Sequence, residues 1–500
     1  MRVRTRAGIG LAATGLATVM LSTTATAAPA HGAPGVGDPY YPGAGNGGYD
    51  VAHYDIRLTY QPEIDLLSGT TTILATTTQE LSRFNLDFGL GVESVRVNNA
   101  PARFRTSGKD PSELIVTPAR PLAANQFVAV TVRYSGTPSE VEIDGYTAWK
   151  RTADGGLAVD EPQSAEWWYP SNDHPTDKAT FDVSVEVPDD SAAISNGTLV
   201  RKTKQRAGWT RWNWRSTQPQ ATYLTFLAVG DFEVSQSTTP SGLPMINAYD
   251  PALGANLYAA KASIERTPEV VEALEQYFGP YPFEAQGGVA STGLGFALEN
   301  QTRSVYSDRF FRSGSNTSVV AHENAHQWFG DSVSLGRWSD IWLNEGFATY
   351  AEFLWSEDQG EGTAAELARY MYDSVPADDD FWQVLPGDPG AENQFDAAVY
   401  DRGAMAVHAL RTTVGDEAFF TILRTWLEQR KGGDARIPEF VALAERVSGQ
   451  ELDELFQTWL FTKGKPEIGP NGETVRTMTA PVQPESYAQI KANQQHLHEH

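Results

Sequence analysis

Residues 322–326 have the sequence His-Glu-Asn-Ala-His, a spacing that could place a metal ion beside a general base. On a helix, residues four apart lie on one face about one turn from each other, so His322 and His326 could bind the same cation. Glu323 would lie beside that cation and could accept a proton from bound water, whose pKa zinc lowers from about 15.7 towards 7. These residues therefore predict a zinc site that uses activated water.

A catalytic zinc ion usually has three protein ligands and one open position. Glu345 is the candidate third ligand, because a loop at 334–336 would let its helix pack antiparallel to the helix of the histidines. A lone glutamate in a helix is ordinarily solvated, but Glu345 has apolar and aromatic neighbours such as Trp342. Its burial without a cation or a donor would be costly. We therefore expect one Zn²⁺ per chain, with these ligands: His322, His326 and Glu345.

Asp340 and Asn344 lie in the same segment as the predicted third ligand. Side chains that hydrogen-bond to metal-binding histidines fix the orientation of the rings. Asp and Asn are also common at helix N-termini, where they cap backbone N–H groups. The sequence leaves both roles open for these two residues.

The elements that must position these residues fall into two unlike halves. From about residue 49 to 233, short stretches of alternating apolar and polar residues are separated by Gly, Pro, Asn and Asp, which is typical of strands and turns. From about residue 251, apolar residues recur with helical spacing, and the predicted helix 318–330 carries both histidines. The stretch 235–244 marks a boundary, although strands could continue past it. The sequence predicts an α+β multidomain fold.

Both ends of the chain differ from its interior. Residues 1–27 have a basic start, an apolar stretch and a final Ala-Thr-Ala, which predict a cleavable signal peptide. We therefore expect a secreted, extracellular protein with no stable membrane anchor after cleavage. Residues 28–45 are predicted to be a flexible N-terminal segment, and residues 466–500 a flexible polar tail.

The composition excludes several classes of protein. The 500 residues include 38 Lys and Arg against 63 Asp and Glu, a formal charge of -25 that would repel nucleic acid. Hydrophobic residues make up 41%, which excludes a disordered chain. There is no cysteine, so disulfides, thiolate zinc sites and cysteine nucleophiles are excluded. The sequence does not indicate an oligomeric state.

The segments 322–330 and 342–348 together resemble the aminopeptidase N family of gluzincin zinc metallopeptidases. Their sequences are His-Glu-Asn-Ala-His-Gln-Trp-Phe-Gly and Trp-Leu-Asn-Glu-Gly-Phe-Ala. The resemblance implies a β-rich saddle-like domain, placed at 46–245, followed by a mostly α thermolysin-like zinc peptidase domain, placed at 246–465. The further C-terminal domains of some family members are not expected here.

A second segment, 296–300, has the sequence Phe-Ala-Leu-Glu-Asn and resembles the family's Gly-x-Met-Glu-Asn motif, which recognises the free amine of the substrate. The resemblance implies that Glu299 binds the substrate ammonium, with Ala297 and Asn300 in the same substrate-binding segment. Phe296 and Leu298 replace the family's Gly and Met. These two departures could alter the backbone approach to the substrate and the shape of the first specificity pocket.

Two more site residues follow from the same resemblance. Glu161, which precedes Pro162, matches the place where the saddle-like domain contributes another acidic residue to the amine site. Tyr400 matches a family tyrosine whose hydroxyl hydrogen-bonds the developing oxyanion, a donor that the chemistry needs opposite the metal. Without the resemblance, Glu161 would be taken as a surface residue of a turn, and Tyr400 as a packing residue of a helix.

The resemblance implies a secreted zinc aminopeptidase, with peptides that have a free N-terminus as substrates. In that reaction Glu323 would be the general base and Tyr400 the oxyanion donor. The metal pentapeptide alone is equally compatible with a thermolysin-like endopeptidase. A non-catalytic secreted protein with a structural zinc site is a third possibility, but such sites usually have four protein ligands and no need for Glu323.

Overall fold

A computed structural model describes residues 30–107, 112–143, 145–474 and 482–497. The predicted signal peptide, 1–27, lies outside the described residues. Within the described ranges, none of the helices combines the length and the apolar character needed to span a bilayer. The predicted order, a β-rich region followed by a mostly helical region, is confirmed.

The N-terminal region is built from strands whose buried and exposed residues alternate, as in Tyr49–Gln61, where one face packs on the core. Its strands are β1 (Ala30–His31), β2 (Tyr49–Gln61), β3 (Leu66–Thr77), β4 (Leu81–Asp87), β5 (Gly91–Val97), β6 (Ala100–Pro101), β7 (Arg103–Thr106), β8 (Glu113–Thr117), β9 (Phe127–Gly136), β10 (Trp149–Arg151), β11 (Gly156–Ala158), β12 (Ala179–Pro188), β13 (Ala192–Ile194), β14 (Thr198–Lys204), β15 (Trp209–Gln220) and β16 (Leu227–Gly230).

These strands form three sheets around one hydrophobic core. The largest has the order β14-β15-β12-β2-β3-β9-β5-β6, in which β12 and β2 are parallel and the other pairs antiparallel. The two smaller sheets have the orders β1-β4-β8-β7 and β10-β11-β16-β13.

A five-stranded sheet connects the two halves of the chain. Its order is β17-β18-β19-β21-β20, and its strands are β17 (Glu233–Thr238), β18 (Pro244–Tyr249), β19 (Gly288–Ser291), β20 (Ala297–Leu298) and β21 (Ser304–Ser307). The predicted domain boundary at residue 245 therefore falls inside β18. The strands continue past the Ser/Thr/Pro-rich stretch because β17 and β18 pair across it.

The helical region packs around a second hydrophobic core. Its helices are α1 (Leu257–Ile264), α2 (Thr267–Phe278), α3 (Thr317–Ala325), α4 (Trp342–Gln359), α5 (Ala364–Ser374), α6 (Ala397–Val414), α7 (Asp416–Arg430), α8 (Ile437–Ser448), α9 (Asp453–Phe461) and α10 (Tyr487–Leu497). The two-stranded pair β22 (Ser334–Leu335) and β23 (Asp434–Ala435) lies beside them. Helix α4 packs on α3 and on α6, so these three helices surround the predicted metal site.

The predictions for the two ends of the chain were wrong where the structure describes them. In the predicted flexible segment 28–45, the chain is anchored to the helical region, because the buried Asp38 side chain accepts a hydrogen bond from the Trp338 backbone N–H at 2.9 Å. In the predicted flexible tail 466–500, residues 487–497 form α10. This helix is held because Ile490 and Leu497 are buried in the helical core.

Candidate active site

Helix α3 presents the two histidines. Its N-terminus is capped by Asn316, whose side chain accepts a hydrogen bond from the Val319 backbone N–H at 3.1 Å. The helix ends at Ala325, earlier than the predicted 318–330, and the chain continues in turns. His326 still has helical backbone angles, φ -58° and ψ -25°. The four-residue spacing therefore keeps both rings on one face.

The structure brings the three predicted ligands together. The Glu345 Oε2 atom lies 3.3 Å from the Nε2 atoms of both His322 and His326. One ligand atom from each residue lies within 4.8 Å of the others, and the three side chains are buried, at 1 to 3% exposure. Two imidazole nitrogens and one carboxylate oxygen form the donor set of a catalytic zinc site with one position left for water or substrate.

The second nitrogen of each histidine ring is also held. The Nδ1 atom of His322 lies 3.0 Å from Glu352 Oε1, and the Nδ1 atom of His326 lies 3.0 Å from the Phe329 carbonyl oxygen. Partners of this kind fix the ring so that Nε2 faces the metal. Glu352 and Phe329 thus occupy the role that the sequence left open for Asp340 and Asn344.

Glu352 was missed by the sequence analysis. It follows Glu345 by seven residues, two helical turns on the same face of α4, and this spacing was the available indication. Its Oε2 atom accepts hydrogen bonds from Ser318 Oγ at 2.5 Å and from Asn493 Nδ2 at 3.1 Å. Asn493 lies in α10, so the C-terminal helix contributes to the support of His322.

Glu323 lies in α3 between the two histidines and is buried. Burial raises the pKa of Glu323 to about 8, although the charges on His322 and His326 oppose this rise. Its Oε1 atom has no hydrogen-bond partner within the described residues. The carboxylate is therefore available to a molecule bound at the metal site.

Glu299 and Glu161 are brought to the same site from the two halves of the chain, and both are buried. Glu299 Oε1 accepts a hydrogen bond from the Tyr223 hydroxyl at 3.1 Å. Burial raises the pKa of both carboxyls, and the negative charge of Glu299 adds to the rise at Glu161. Glu345 also contributes to both shifts. Buried carboxylates that repel one another are stabilised by added positive charge, such as a metal ion or an ammonium group.

The segment 296–300 ends the five-stranded sheet. Ala297 lies in β20, the edge strand, and is paired with Tyr306 of β21. An edge strand offers backbone N–H and C=O groups to an extended peptide. The Asn300 side chain donates a hydrogen bond to the Leu224 carbonyl oxygen at 3.1 Å, which ties this segment to the N-terminal region.

Tyr400 lies in α6 and is buried beside the three predicted metal ligands, which are called the metal triad from here on: His322, His326 and Glu345. Its ring stacks on the His322 ring, with the ring centres 6.0 Å apart and the planes 19° apart. Burial and the charges of the neighbouring carboxylates, with Glu345 first among them, hold the pKa of Tyr400 well above 10. The hydroxyl therefore keeps its proton at neutral pH.

Comparisons with known proteins match both halves of the chain. Residues 51–224 match the peptidase M1 N-terminal domain, and residues 262–459 match the peptidase family M1 domain. Glutamyl aminopeptidase from Rattus norvegicus is 28% identical over 462 residues, covering 84% of this chain and 48% of the relative. The human enzyme of the same name is 26% identical over 460 residues, covering 84% of this chain and 47% of the relative. The chain thus spans about half the length of these curated relatives.

Two solved structures match over 99 to 100% of their own length. The M1 zinc metallopeptidase from Deinococcus radiodurans is 32% identical, with a TM-score of 0.77, and the match covers 89% of this chain and 100% of that one. A mutant of an M1 zinc metallopeptidase from the same organism, bound to a Tyr-Ser-Ala substrate, is 31% identical, with a TM-score of 0.77. That match covers 87% of this chain and 99% of the other. Together with the paired domain matches, these similarities place the chain in peptidase family M1.

Proposed function

We propose that this protein is a zinc-dependent aminopeptidase that removes single residues from the free amino end of peptides. The observation that carries the proposal is the burial of a metal triad and two further glutamates, Glu299 and Glu161, in one site. The metal triad accounts for hydrolysis, and the additional carboxylates account for recognition of a terminal ammonium group. The names of the relatives, glutamyl aminopeptidases, and the tripeptide bound to the Deinococcus mutant support this assignment.

His322, His326 and Glu345 would hold the zinc ion, and Glu352 and the Phe329 carbonyl would fix the two rings. Bound zinc supplies a Lewis acid that activates water and polarises the scissile carbonyl group. Glu323 acts as the base, taking a proton from the attacking water and delivering it to the leaving amine. Its place in α3 next to His322, with an Oε1 atom that has no partner among the described residues, suits a group that accepts and returns this proton.

Glu299 and Glu161 hold the substrate ammonium by charge and hydrogen bonds. Because Glu299 is fixed by the hydrogen bond from Tyr223, the ammonium would lie at a fixed distance from the metal triad. Only the first peptide bond can then reach the reactive position. Ala297 in the edge strand β20 aligns the backbone of the peptide, and Asn300 anchors that strand.

Tyr400 donates a hydrogen bond to the oxygen that becomes negatively charged in the transition state. Its position against the His322 ring places it at the metal triad, and its high pKa keeps the proton on the hydroxyl. A donor fixed before the reaction stabilises the developing charge without reorganisation.

The endopeptidase alternative is disfavoured by the same carboxylates. An internal peptide segment carries no ammonium group at this position, so its binding would leave Glu299 and Glu161 buried without a cation. A purely structural zinc site is disfavoured for two reasons. The triad supplies three ligands, whereas structural zinc sites usually have four protein ligands, and a structural site would not need the buried Glu323 beside the metal.

We also propose that the protein is exported and acts outside the cell. The support is the sequence pattern of residues 1–27, with its basic start, apolar stretch and small residues at the end. The absence of cysteine fits a protein whose stability depends on core burial and bound metal. Mass spectrometry of the mature protein from the culture medium tests this proposal. An intracellular protein that retains residue 1 would contradict it.

A panel of fluorogenic amino-acid amides tests the proposed activity. The matched control substrates are the same amides with the amine acetylated. We expect hydrolysis of the free amides, loss of activity with a zinc chelator, recovery on addition of zinc, and little hydrolysis of the acetylated compounds. Activity that resists exhaustive removal of metal would contradict the proposal.

A further inference from the structure

A cavity of about 720 Å³ lies beside Glu161. Its walls come from three separate parts of the chain: the N-terminal segment with Tyr41, the β-rich region with Tyr146, and the loop before α6 with Phe395. Glu161 lines this cavity, and the charges of Glu299 and Glu345 act on its carboxyl group, so the cavity adjoins the place proposed for the substrate ammonium.

The N-terminal segment that lines the cavity is packed against Trp338 of the helical region. Asp38 accepts the Trp338 backbone N–H and lies 3.3 Å from His174 Nε2. The Tyr41 ring packs edge-on against the Trp338 ring, with the ring centres 6.1 Å apart. Residues 38–41 precede both regions of the chain that match the family domains, so this wall is supplied from outside them.

The same segment holds the loop 388–396, which forms another part of the cavity wall. The Tyr41 hydroxyl donates a hydrogen bond to Gln394 Oε1 at 2.8 Å. The neighbouring Tyr40 hydroxyl accepts the Gly390 backbone N–H at 2.7 Å and donates to Asp388. The two tyrosines therefore set the position of the loop 388–396, which carries Phe395 into the cavity.

The charges in the cavity indicate which side chains fit. Among the described lining residues, Lys150 is the one cation, and its Nζ atom is paired with Asp160 Oδ2 at 2.8 Å. Glu392 and Asp396 add further negative charge. An acidic side chain would be repelled, whereas a basic side chain would be attracted and an aromatic one would pack on the rings.

We propose that Tyr41 is a specificity-determining residue, whose ring contacts the first side chain of the substrate. The inference rests on the proposed function and names its substrate class: peptides that begin with a long basic or aromatic residue. A long side chain fills more of a cavity of about 720 Å³ than the methyl group of an N-terminal alanine does, so contact with Tyr41 favours long side chains.

The test compares the kcat/KM values for Arg, Phe, Ala and Glu amides. In the parent protein we expect the Arg and Phe amides to exceed the Glu amide by at least about tenfold. In Tyr41→Ala, the ratios of Arg to Ala and of Phe to Ala should each fall by about tenfold. Tyr41→Leu, which keeps more of the packing against Trp338, should show a smaller fall in the same direction. The matched control is Tyr258→Ala, which removes a tyrosine that is 83% exposed and should leave both ratios unchanged.

The results separate this inference from the proposed function. Unchanged ratios in folded Tyr41→Ala or Tyr41→Leu, equal losses on all amides, or a parent preference for the Glu amide would overturn the role of Tyr41 and leave the aminopeptidase assignment intact. A zinc-loaded parent that cleaves none of the amides would instead overturn the proposed function. Circular dichroism and the midpoint of thermal unfolding establish that each variant is folded.

Discussion

The Asn493 side chain donates a hydrogen bond to Glu352 at 3.1 Å and thereby joins the C-terminal helix to the support of a proposed zinc ligand. Glu352 in turn binds His322 Nδ1, and Asn493 Oδ1 accepts a hydrogen bond from Asn316, the N-cap of α3. The C-terminal helix α10 therefore contacts both Asn316, at the start of α3, and Glu352, the carboxylate that holds the His322 ring.

Asn493→Leu should weaken zinc binding, because it removes the donor to Glu352 and leaves that carboxylate less constrained. Loss of a direct partner of a metal ligand, such as Glu352, typically costs about 10 to 100-fold in metal affinity. Asn493 acts one contact further away, so we expect a smaller loss. Zinc affinity is measured by competition with a chromogenic chelator. Gln489→Ala is the matched control, since Gln489 in the same helix donates to the exposed Ser315 carbonyl. Equal zinc affinity in Asn493→Leu and the parent would show that Asn493 does not support the zinc site through Glu352.

Glu323→Gln should retain zinc and lose at least about a hundredfold in turnover, because it removes the base but no ligand. Glu345→Ala is its counterpart, which should instead lose zinc on dialysis because one of three ligands is gone. Zinc content is determined by atomic absorption and turnover with an amide substrate. Turnover retained by Glu323→Gln would reject Glu323 as the base, and full zinc loading of Glu345→Ala would place the third ligand elsewhere.

Tyr400→Phe removes one hydroxyl and keeps the ring that stacks on His322. If the hydroxyl stabilises the oxyanion, kcat should fall by about a hundredfold or more with little change in KM. Steady-state kinetics on a single amide at matched zinc loading provide the measurement. A kcat equal to that of the parent would return Tyr400 to a packing role.

Glu299→Ala should raise the KM for substrates with a free amine, because it removes a carboxylate proposed to bind the ammonium. Turnover should also fall, since a misplacement of the scissile bond by about 1 Å can cost about a hundredfold. Kinetics on free and acetylated peptides, with circular dichroism as the folding control, distinguish binding from stability. Equal losses on both kinds of substrate would indicate a structural role.

The sequence was sufficient to predict the metal triad because most of its geometry is local. The spacing of His322 in α3 and His326 directly after it, still with helical backbone angles, fixes their common face. The apolar surroundings of Glu345 indicated burial. The network of Glu352 and Asn493 could not be predicted, because those residues are 141 positions apart and meet only through tertiary packing.

The two ends of the chain were mispredicted for a physical reason. Residues 28–45 and 466–500 are rich in Gly, Pro or polar residues, and such composition is typical of flexible segments. A few buried contacts, such as those of Asp38 and Ile490, hold the described parts of both segments in place. Contacts of this kind depend on the partner surface and leave no periodic pattern in the sequence.

Cleavage of one peptide in two forms tests the central claim most directly. A peptide of defined sequence is incubated with the zinc-loaded protein, with either a free or an acetylated amine, and the products are followed over time by mass spectrometry. The account predicts stepwise loss of single residues from the amino end of the free peptide and no comparable cleavage of the acetylated one. Internal cleavage, or equal cleavage of both forms, would contradict the aminopeptidase assignment.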